Sequence, residues 1–147
     1  MEDYEPRVVA MLCNYCAYCA PELAGLGRIQ YPSNVRIVSY PCTGKVEIIH
    51  ILKTFEAGAD IVFVGGCEVG KCHFLEGNVR AQKRVEYTKK LLEEIGLGGE
   101  RLEFSHIAPS GASFFAATVK TMTERAKNLG PNPYKLMLQH CRTQDKE

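Results

Sequence analysis

Ile61-Val62-Phe63-Val64-Gly65-Gly66-Cys67 is the clearest strand signal in the chain. Four consecutive apolar residues with no polar alternation are typical of a strand buried on both faces of a parallel sheet. Residues 7–12 are a second short apolar run and lead into Cys13, and the β-branched residues 35–40 follow a turn-forming segment and lead into Pro41 and Cys42. The sequence therefore predicts three buried strands, each with a cysteine at or just beyond its carboxyl end.

Apolar residues at helical spacing separate these strands. Ile48, Ile51, Leu52 and Phe55 follow an i, i+3, i+4, i+7 pattern, which predicts a helix over residues 44–57. The same argument predicts a long charged helix over residues 78–95.

Further along the chain, residues 102–107 can supply a fourth strand, and Ser110 is a suitable N-cap for one more helix. Repeated strand-then-helix units favour parallel strands joined by right-handed crossovers. We expect an α/β fold: a single-domain flavodoxin-like or Rossmann-like sandwich of about four parallel strands with helices on both faces. Residues 1–130 should form this domain, and residues 131–147 a C-terminal tail suited to docking a partner.

Length and composition agree with an ordinary globular domain. The chain has 147 residues, 46% hydrophobic and 24% charged, and a formal net charge of +1 without long basic runs, which argues against nucleic acid as a partner. The sequence contains nothing close to the roughly 18–20 consecutive apolar residues of a membrane span. Its first five residues are acidic where a signal peptide would be basic. We therefore expect a cytoplasmic protein without membrane contact.

Seven cysteines are the unusual feature of the composition. In a reducing compartment disulfides are rare, so clustered cysteines indicate metal or redox chemistry more often than a structural framework. They are Cys13, Cys16, Cys19, Cys42, Cys67, Cys72 and Cys141. Cys141 stands in a polar tail, where no role is expected.

Four of these cysteines are expected at one edge of the sheet. Ligands bind outside the carboxyl ends of strands in open α/β sheets, and Cys13, Cys42 and Cys67 follow three of those ends. Cys72 follows Cys67 with C-x4-C spacing, and Gly70 lets the loop curl back. Plant-type two-iron ferredoxins use this spacing. Two ligands from this loop, Cys42 and one cysteine of the first segment would hold a [2Fe–2S] cluster.

The residues alone also allow other cofactors. Cys13, Cys16 and Cys19 have the C-x2-C-x2-C spacing that opens a four-iron ferredoxin run, although the fourth cysteine of that run is missing. A [4Fe–4S] cluster completed by Cys42 is one alternative; in another, Cys19 is a helix-core residue. A four-cysteine zinc staple in an interaction module and a C-x-x-C thiol redox protein using Cys13 and Cys16 are the remaining alternatives.

Several short segments, in this order, resemble one known family, the iron–sulfur delta subunit of methyl-viologen-reducing or F420-non-reducing hydrogenase. They are Cys13-Asn14-Tyr15-Cys16-Ala17-Tyr18, Ala24-Gly25, Tyr31-Pro32-Ser33-Asn34-Val35-Arg36-Ile37, Cys42-Thr43-Gly44-Lys45, Gly58-Ala59-Asp60, Gly66-Cys67, and Cys72-His73-Phe74-Leu75-Glu76-Gly77-Asn78. The resemblance implies a non-catalytic relay subunit with a [2Fe–2S] cluster. It would pass electrons between a hydrogenase or formate dehydrogenase and the flavin-containing subunit of heterodisulfide reductase.

The resemblance also implies a ligand set. The motif cysteines of the family carry over to Cys13, Cys16, Cys42, Cys67 and Cys72, which gives five candidates for four positions. Cys42, Cys67 and Cys72 rank highest, and Cys13 and Cys16 are not separated. Aromatic residues at positions 15 and 74 are expected to cover the cluster.

Overall fold

The computed structural model describes residues 4–144 of the chain. Residues 1–3, part of the acidic start that argued against a signal peptide, and residues 145–147 of the predicted tail lie outside the described residues. The elements are β1 (Val8–Cys13), α1 (Cys19–Leu26), β2 (Val35–Tyr40), α2 (Ile48–Glu56), β3 (Ile61–Gly66), α3 (Gly77–Glu94), β4 (Leu102–His106), α4 (Ala112–Leu129) and α5 (Pro133–Gln144).

The four strands form one parallel sheet in the order β2-β1-β3-β4. In the centre of the sheet, Val8 of β1 is in register with Val35 of β2 on one side and with Ile61 of β3 on the other. The predicted α/β class with about four parallel strands is confirmed. All three strands predicted from apolar or β-branched runs exist, and β2 has the predicted bounds; the expectation that β2 is buried is wrong, because it lies at the edge of the sheet and each of its residues is partly or fully exposed.

Helices pack on both faces of the sheet because side chains alternate along each strand. Ile61 and Phe63 of β3 belong to one core cluster, together with Phe115 of α4. Val62 and Val64 point the other way and pack with residues of α2 and α3. The helices α1 and α4 therefore cover one face, while α2 and α3 cover the other.

Three helix predictions need correction. Residues 43–45 form a separate 3-10 turn, and α2 begins only at Ile48, because Val46 is extended and Glu47 and His50 make a reciprocal capping box. Ser110 is not the N-cap of α4; Gly111 takes that position without a side-chain cap. Most of the tail, for which the sequence predicted no helix, is the helix α5.

A buried hydrogen-bond network around Asp60 and Arg101 fixes the C-terminal segment to the sheet. Asp60 is fully buried and accepts hydrogen bonds from the backbone N–H of Arg7 and of Asn132. The Arg101 guanidinium, 4% exposed, donates to the backbone carbonyls of Leu97, Asp60, Leu129, Gly130 and Pro131.

Among residues 4–144, no helix combines the length and apolar character needed to cross a membrane.

Candidate metal centre

Three buried cysteine sulfurs meet between the two central strands. Cys13 ends β1, Cys16 lies in the turn that follows, and Cys67 comes directly after β3. Their three Sγ atoms lie within 4.8 Å of one another. Cys13 Sγ is 3.8 Å from Cys67 Sγ, and Cys16 Sγ is 2.6 Å from the same atom.

The sheet topology explains why these sulfurs converge. The chain leaves β1 towards α1 on one face, and leaves β3 towards α3 on the opposite face. The two loops diverge and open a crevice between the adjacent strand ends, which is the topological switch point where open α/β sheets bind ligands. A ligand site here needs only the right side chains on the two loops.

Cys42 and Cys72 form a second group beside the first. A Cβ built on Gly77, the first residue of α3, would overlap Cys42 Sγ and lie 3.3 Å from Cys72 Sγ. Both sulfurs therefore pack over the bare backbone of this glycine. All five cysteines in the two groups are buried.

The two groups are neighbours, because all five cysteines belong to one cluster of buried, packed side chains. In addition to burial, charge repulsion from Cys72 and Cys13 raises the pKa of Cys42, and repulsion from Cys72 adds in the same way to burial at Cys67. The crevice thus holds five interacting sulfurs drawn from three loops that are distant in sequence.

Hydrogen bonds and burial give the three thiols of the first group different pKa values. A hydrogen bond from the Cys16 thiol lowers the pKa of Cys13 to about 5, with help from the backbone N–H of Tyr15 and Thr43. The same contact raises the pKa of Cys16, which keeps the proton. Burial raises the pKa of Cys67 to about 11. Cys13 is therefore the thiol of this group that ionises most readily.

Backbone N–H groups act on the second group. Burial raises the pKa of Cys42, opposed by the Gly44 N–H that lies 3.4 Å from its sulfur. Burial also acts to raise the pKa of Cys72, but backbone N–H groups of Asn78, Phe74 and Gly77 outweigh it and lower that pKa. The loop before α3 is thus built to stabilise a thiolate.

Two side chains hold the Cys67 loop in place. Asn78, fully buried, donates to the backbone carbonyls of Cys67 at 3.0 Å and Glu68 at 2.9 Å. His106 Nδ1 lies 2.7 Å from the same Cys67 carbonyl oxygen. Neither residue was expected at this site from the sequence, although Asn78 ends one of the segments that resemble the family, and that was the available signal.

Aromatic rings cover the outer side of the site. Tyr15 and His73 stack with ring centroids 4.0 Å apart and planes 8° from parallel. Phe74 packs edge-on against both rings. About half of Tyr15 and of Phe74 remains exposed. The stack therefore joins the residue before Cys16 to the residue after Cys72 and leaves apolar ring surface exposed beside these two cysteines.

The structure brings together all five cysteines that the sequence singled out and separates the other two. Cys19 is the first residue of α1, half-buried and outside both groups, and Cys141 is exposed on α5. Within residues 4–144, Cys13, Cys16 and Cys67 are the only three metal-ligating side chains found within 4.8 Å of one another.

The distances between the sulfurs indicate which cofactors these cysteines fit. A single tetrahedral ion with bonds of about 2.3 Å needs four thiolates that are all about 3.8 Å apart. Four such sulfurs do not meet anywhere in the described part of the chain. The donors of both groups are all cysteine sulfurs, and thiolate is the donor that iron–sulfur clusters take.

Comparison with known proteins agrees with this geometry. The sequence profile of the family described as methyl-viologen-reducing hydrogenase, delta subunit, matches residues 8–130, which contain both cysteine groups. The chain belongs to this family. The match ends at Gly130, three residues before α5 begins.

Individual relatives of this delta-subunit chain are of two kinds. The iron-sulfur subunit of the F420-non-reducing hydrogenase vhu from Methanococcus maripaludis is 47% identical over 131 residues, 89% of this chain and 98% of that protein. Its counterpart in Methanopyrus kandleri is 50% identical over 127 residues, 86% and 96% of the two chains. A component of the CoB-CoM heterodisulfide reductase of Methanosarcina acetivorans is 36% identical over 126 residues, 86% of this chain but 16% of that protein.

Proposed function

We propose that this chain carries a [2Fe–2S] cluster and relays electrons between a hydrogenase or formate dehydrogenase and the flavin-containing subunit of heterodisulfide reductase. The observation that carries the proposal is the convergence of five buried cysteines in two adjacent groups at the switch point of the sheet. The relatives named as iron-sulfur subunits support the same cofactor.

The two groups suggest a ligand assignment. Cys42 and Cys72 would bind one iron, and Cys13 and Cys67, whose sulfurs are 3.8 Å apart, would bind the other. That separation suits two thiolates on one tetrahedral ion. Cys16 lies 2.6 Å from Cys67, too close for both to bind one ion at that spacing. We therefore assign Cys16 as the spare fifth cysteine.

The alternatives fit the site less well. A four-iron cluster bound by Cys13, Cys16 and Cys19 requires Cys19, which lies outside both groups. Thiol–disulfide exchange needs an accessible sulfur. Cys13 and Cys16 are 1% and 6% exposed, so a substrate disulfide does not reach them without opening the loop.

A bound cluster of this kind supplies one-electron storage, and the surrounding residues adapt it to transfer. The rigid sheet edge holds the donors in place, while the backbone N–H groups around Cys72 stabilise negative charge on sulfur. Tyr15, Phe74 and Leu75 expose apolar surface beside the sulfurs. We propose this surface, the aromatic face, as the place where an electron partner docks close to the cluster.

The reductase relative supports the proposed partner. In that protein the segment matching this chain is one part of a much longer polypeptide. A covalent link in one protein suggests that the two parts work side by side, so we propose non-covalent docking of this chain on a reductase component of that type.

All seven cysteines are free, which suits the reducing cytoplasm.

The C-terminal segment, residues 131–147, is proposed as a second contact for the partner. The helix α5 exposes Leu136 and Met137, and it lies beyond the segment that matches the family. A Leu136→Ser/Met137→Ser variant should keep its cluster and bind the reductase component more weakly in a pull-down. Unchanged binding would assign docking to the aromatic face alone.

Anaerobic purification tests the cofactor. We expect brown protein with two irons and two sulfides per chain, visible absorption that dithionite bleaches, and a spin-resonance signal of a reduced two-iron cluster. Colourless protein with stoichiometric zinc, or metal-free protein with a reversible disulfide, would refute the proposal. Four irons per chain would refute the cluster type.

Single substitutions test the ligand assignment. Cys42→Ser and Cys67→Ser should lose most of the bound iron, because each removes one thiolate from an iron. Cys19→Ser and Cys141→Ser are matched controls outside both groups, and they should keep wild-type iron content. Cys16→Ser should also keep a two-iron cluster, and loss of that cluster would reverse the roles of Cys13 and Cys16.

A further inference from the structure

The Thr43 hydroxyl is a buried polar group that the protein itself leaves unpaired. Thr43 is 1% exposed, and its Oγ1 has no hydrogen-bond partner among the described residues. The other two buried threonines, Thr88 and Thr123, each donate to the backbone carbonyl four residues earlier, at 2.7 and 2.8 Å. A buried hydroxyl without a partner is unfavourable, so this one requires an explanation.

The position of the Thr43 hydroxyl supplies an explanation. Thr43 follows Cys42, and its backbone N–H donates to the sulfur of Cys13. Its Oγ1 lies 3.1 Å from the point where a Cβ on Gly66 would stand, and Gly66 immediately precedes Cys67. The hydroxyl therefore lies on the residue that follows Cys42 and beside the glycine that precedes Cys67, one cysteine from each group.

From this position we infer that the Thr43 hydroxyl donates a hydrogen bond to a sulfur of the bound cluster and thereby raises its reduction potential. The inference rests on the proposed function, because it needs a cluster between the two cysteine groups. Cluster and thiolate sulfurs accept hydrogen bonds, and such bonds are one of the means by which proteins set cluster potentials.

The sign follows from charge. Reduction adds one electron to the cluster and breaks no covalent bond, and the hydroxyl proton stays on oxygen. A more negative sulfur accepts a stronger hydrogen bond. Thr43 therefore stabilises the reduced state more than the oxidised state and makes the cluster easier to reduce.

The test is a redox titration of the full-length chain, purified anaerobically with its cluster and followed by spin resonance. Thr43→Val keeps the shape of the side chain and removes the donor. We expect it to lower the ratio of reduced to oxidised cluster about tenfold at a fixed solution potential, which is a fall in midpoint of about 59 mV for a one-electron couple. Thr43→Ser keeps the hydroxyl and should titrate close to wild type.

Thr88→Val is the matched control, because it removes a buried hydroxyl on α3 that already has a backbone partner. Its midpoint should equal that of wild type. A Thr43→Val midpoint equal to that of wild type would overturn the inference and leave the proposed function intact. A wild-type chain that takes up no iron would refute the proposed function, and the role of Thr43 would fall with it.

Unfolding of the metal-free protein provides a second readout that does not depend on cluster loading in the variant. Without a cluster the hydroxyl has no partner, so Thr43→Val should be at least as stable as wild type, whereas Thr88→Val should be less stable. Marked destabilisation of metal-free Thr43→Val would show that the hydroxyl is satisfied within the protein and would overturn the inference. Should Thr43→Val not load its cluster, Thr43→Ala against Thr43→Ser gives the same comparison of potentials.

Discussion

Replacing Gly77 by alanine should damage the cysteine site through one methyl group. A Cβ at this position would overlap Cys42 Sγ and approach Cys72 Sγ to 3.3 Å. The backbone of Gly77 is not in the left-handed region, so the substitution causes no strain of its own there. The added methyl leaves two outcomes: the packing is strained, or Cys42 rotates its sulfur away from Cys72.

The magnitudes of the two outcomes differ. Forcing a methyl group into a packed site costs about 1–3 kcal/mol. Alanine in place of glycine in a helix returns at most about 1 kcal/mol. If Cys42 stays in place, the metal-free protein should lose about 1–2 kcal/mol of unfolding free energy. If Cys42 rotates, stability changes little, but the misplaced ligand should weaken metal binding about 10- to 100-fold, as supporting substitutions around metal sites do.

Urea unfolding of the metal-free chain and iron content after reconstitution measure the two effects. Gly25→Ala in α1 is the matched control, since a Cβ there meets nothing within 4 Å; it should gain about 0.5–1 kcal/mol and keep its iron. In a Cys42→Ala background the Gly77→Ala penalty should disappear from the unfolding measurement. A Gly77→Ala protein that is as stable as Gly25→Ala and binds iron like wild type would refute the steric argument.

Three further predictions concern the residues that support the site and the fold. Asn78→Ala removes the side-chain donor to the Glu68 carbonyl and one of the two side-chain contacts of the Cys67 carbonyl, and it should cost about 1–3 kcal/mol in denaturant unfolding. Lys83→Ala on the exposed side of α3 should change stability little, and equal effects would contradict the role of Asn78. Arg101→Lys loses the planar guanidinium that reaches five carbonyls and should lower the melting temperature while iron content stays unchanged. An unaltered melting temperature would argue against the buried hydrogen-bond network. Burial acts to raise the pKa of Glu103, but hydrogen bonds from a neighbouring arginine and lysine outweigh it and lower that pKa, so the stabilisation is present above the unfolded pKa of about 4.3 and is lost as pH falls below it. The difference in unfolding free energy between wild type and Glu103→Gln should accordingly shrink between about pH 6 and about pH 3, and a constant difference would contradict the ion pairs.

Local sequence signals were sufficient where one element decides its own structure. The run from Ile61 to Val64 predicted β3 because residues buried on both faces of a sheet must all be apolar. Helix ends were less predictable. The α2 helix begins late because Glu47 and His50 cap each other, an interaction that the apolar spacing within the helix does not reveal. Before α5, Asn132 donates to the Asp60 carboxylate and to the backbone carbonyls of Phe55 and Ala59, and no local pattern records these distant contacts.

Strand periodicity and the position of a residue after a strand are local properties, so the α/β class and the sheet edge on which the cysteines stand followed from sequence. The division of the cysteines followed only from the packing of distant loops, with Cys13, Cys16 and Cys67 in one group and Cys42 with Cys72 over Gly77 in the other. The physical reason is that distances between sulfurs, and the pairing of a buried hydroxyl such as that of Thr43, depend on how loops far apart in the chain pack together. Spacing along one loop does not fix those distances.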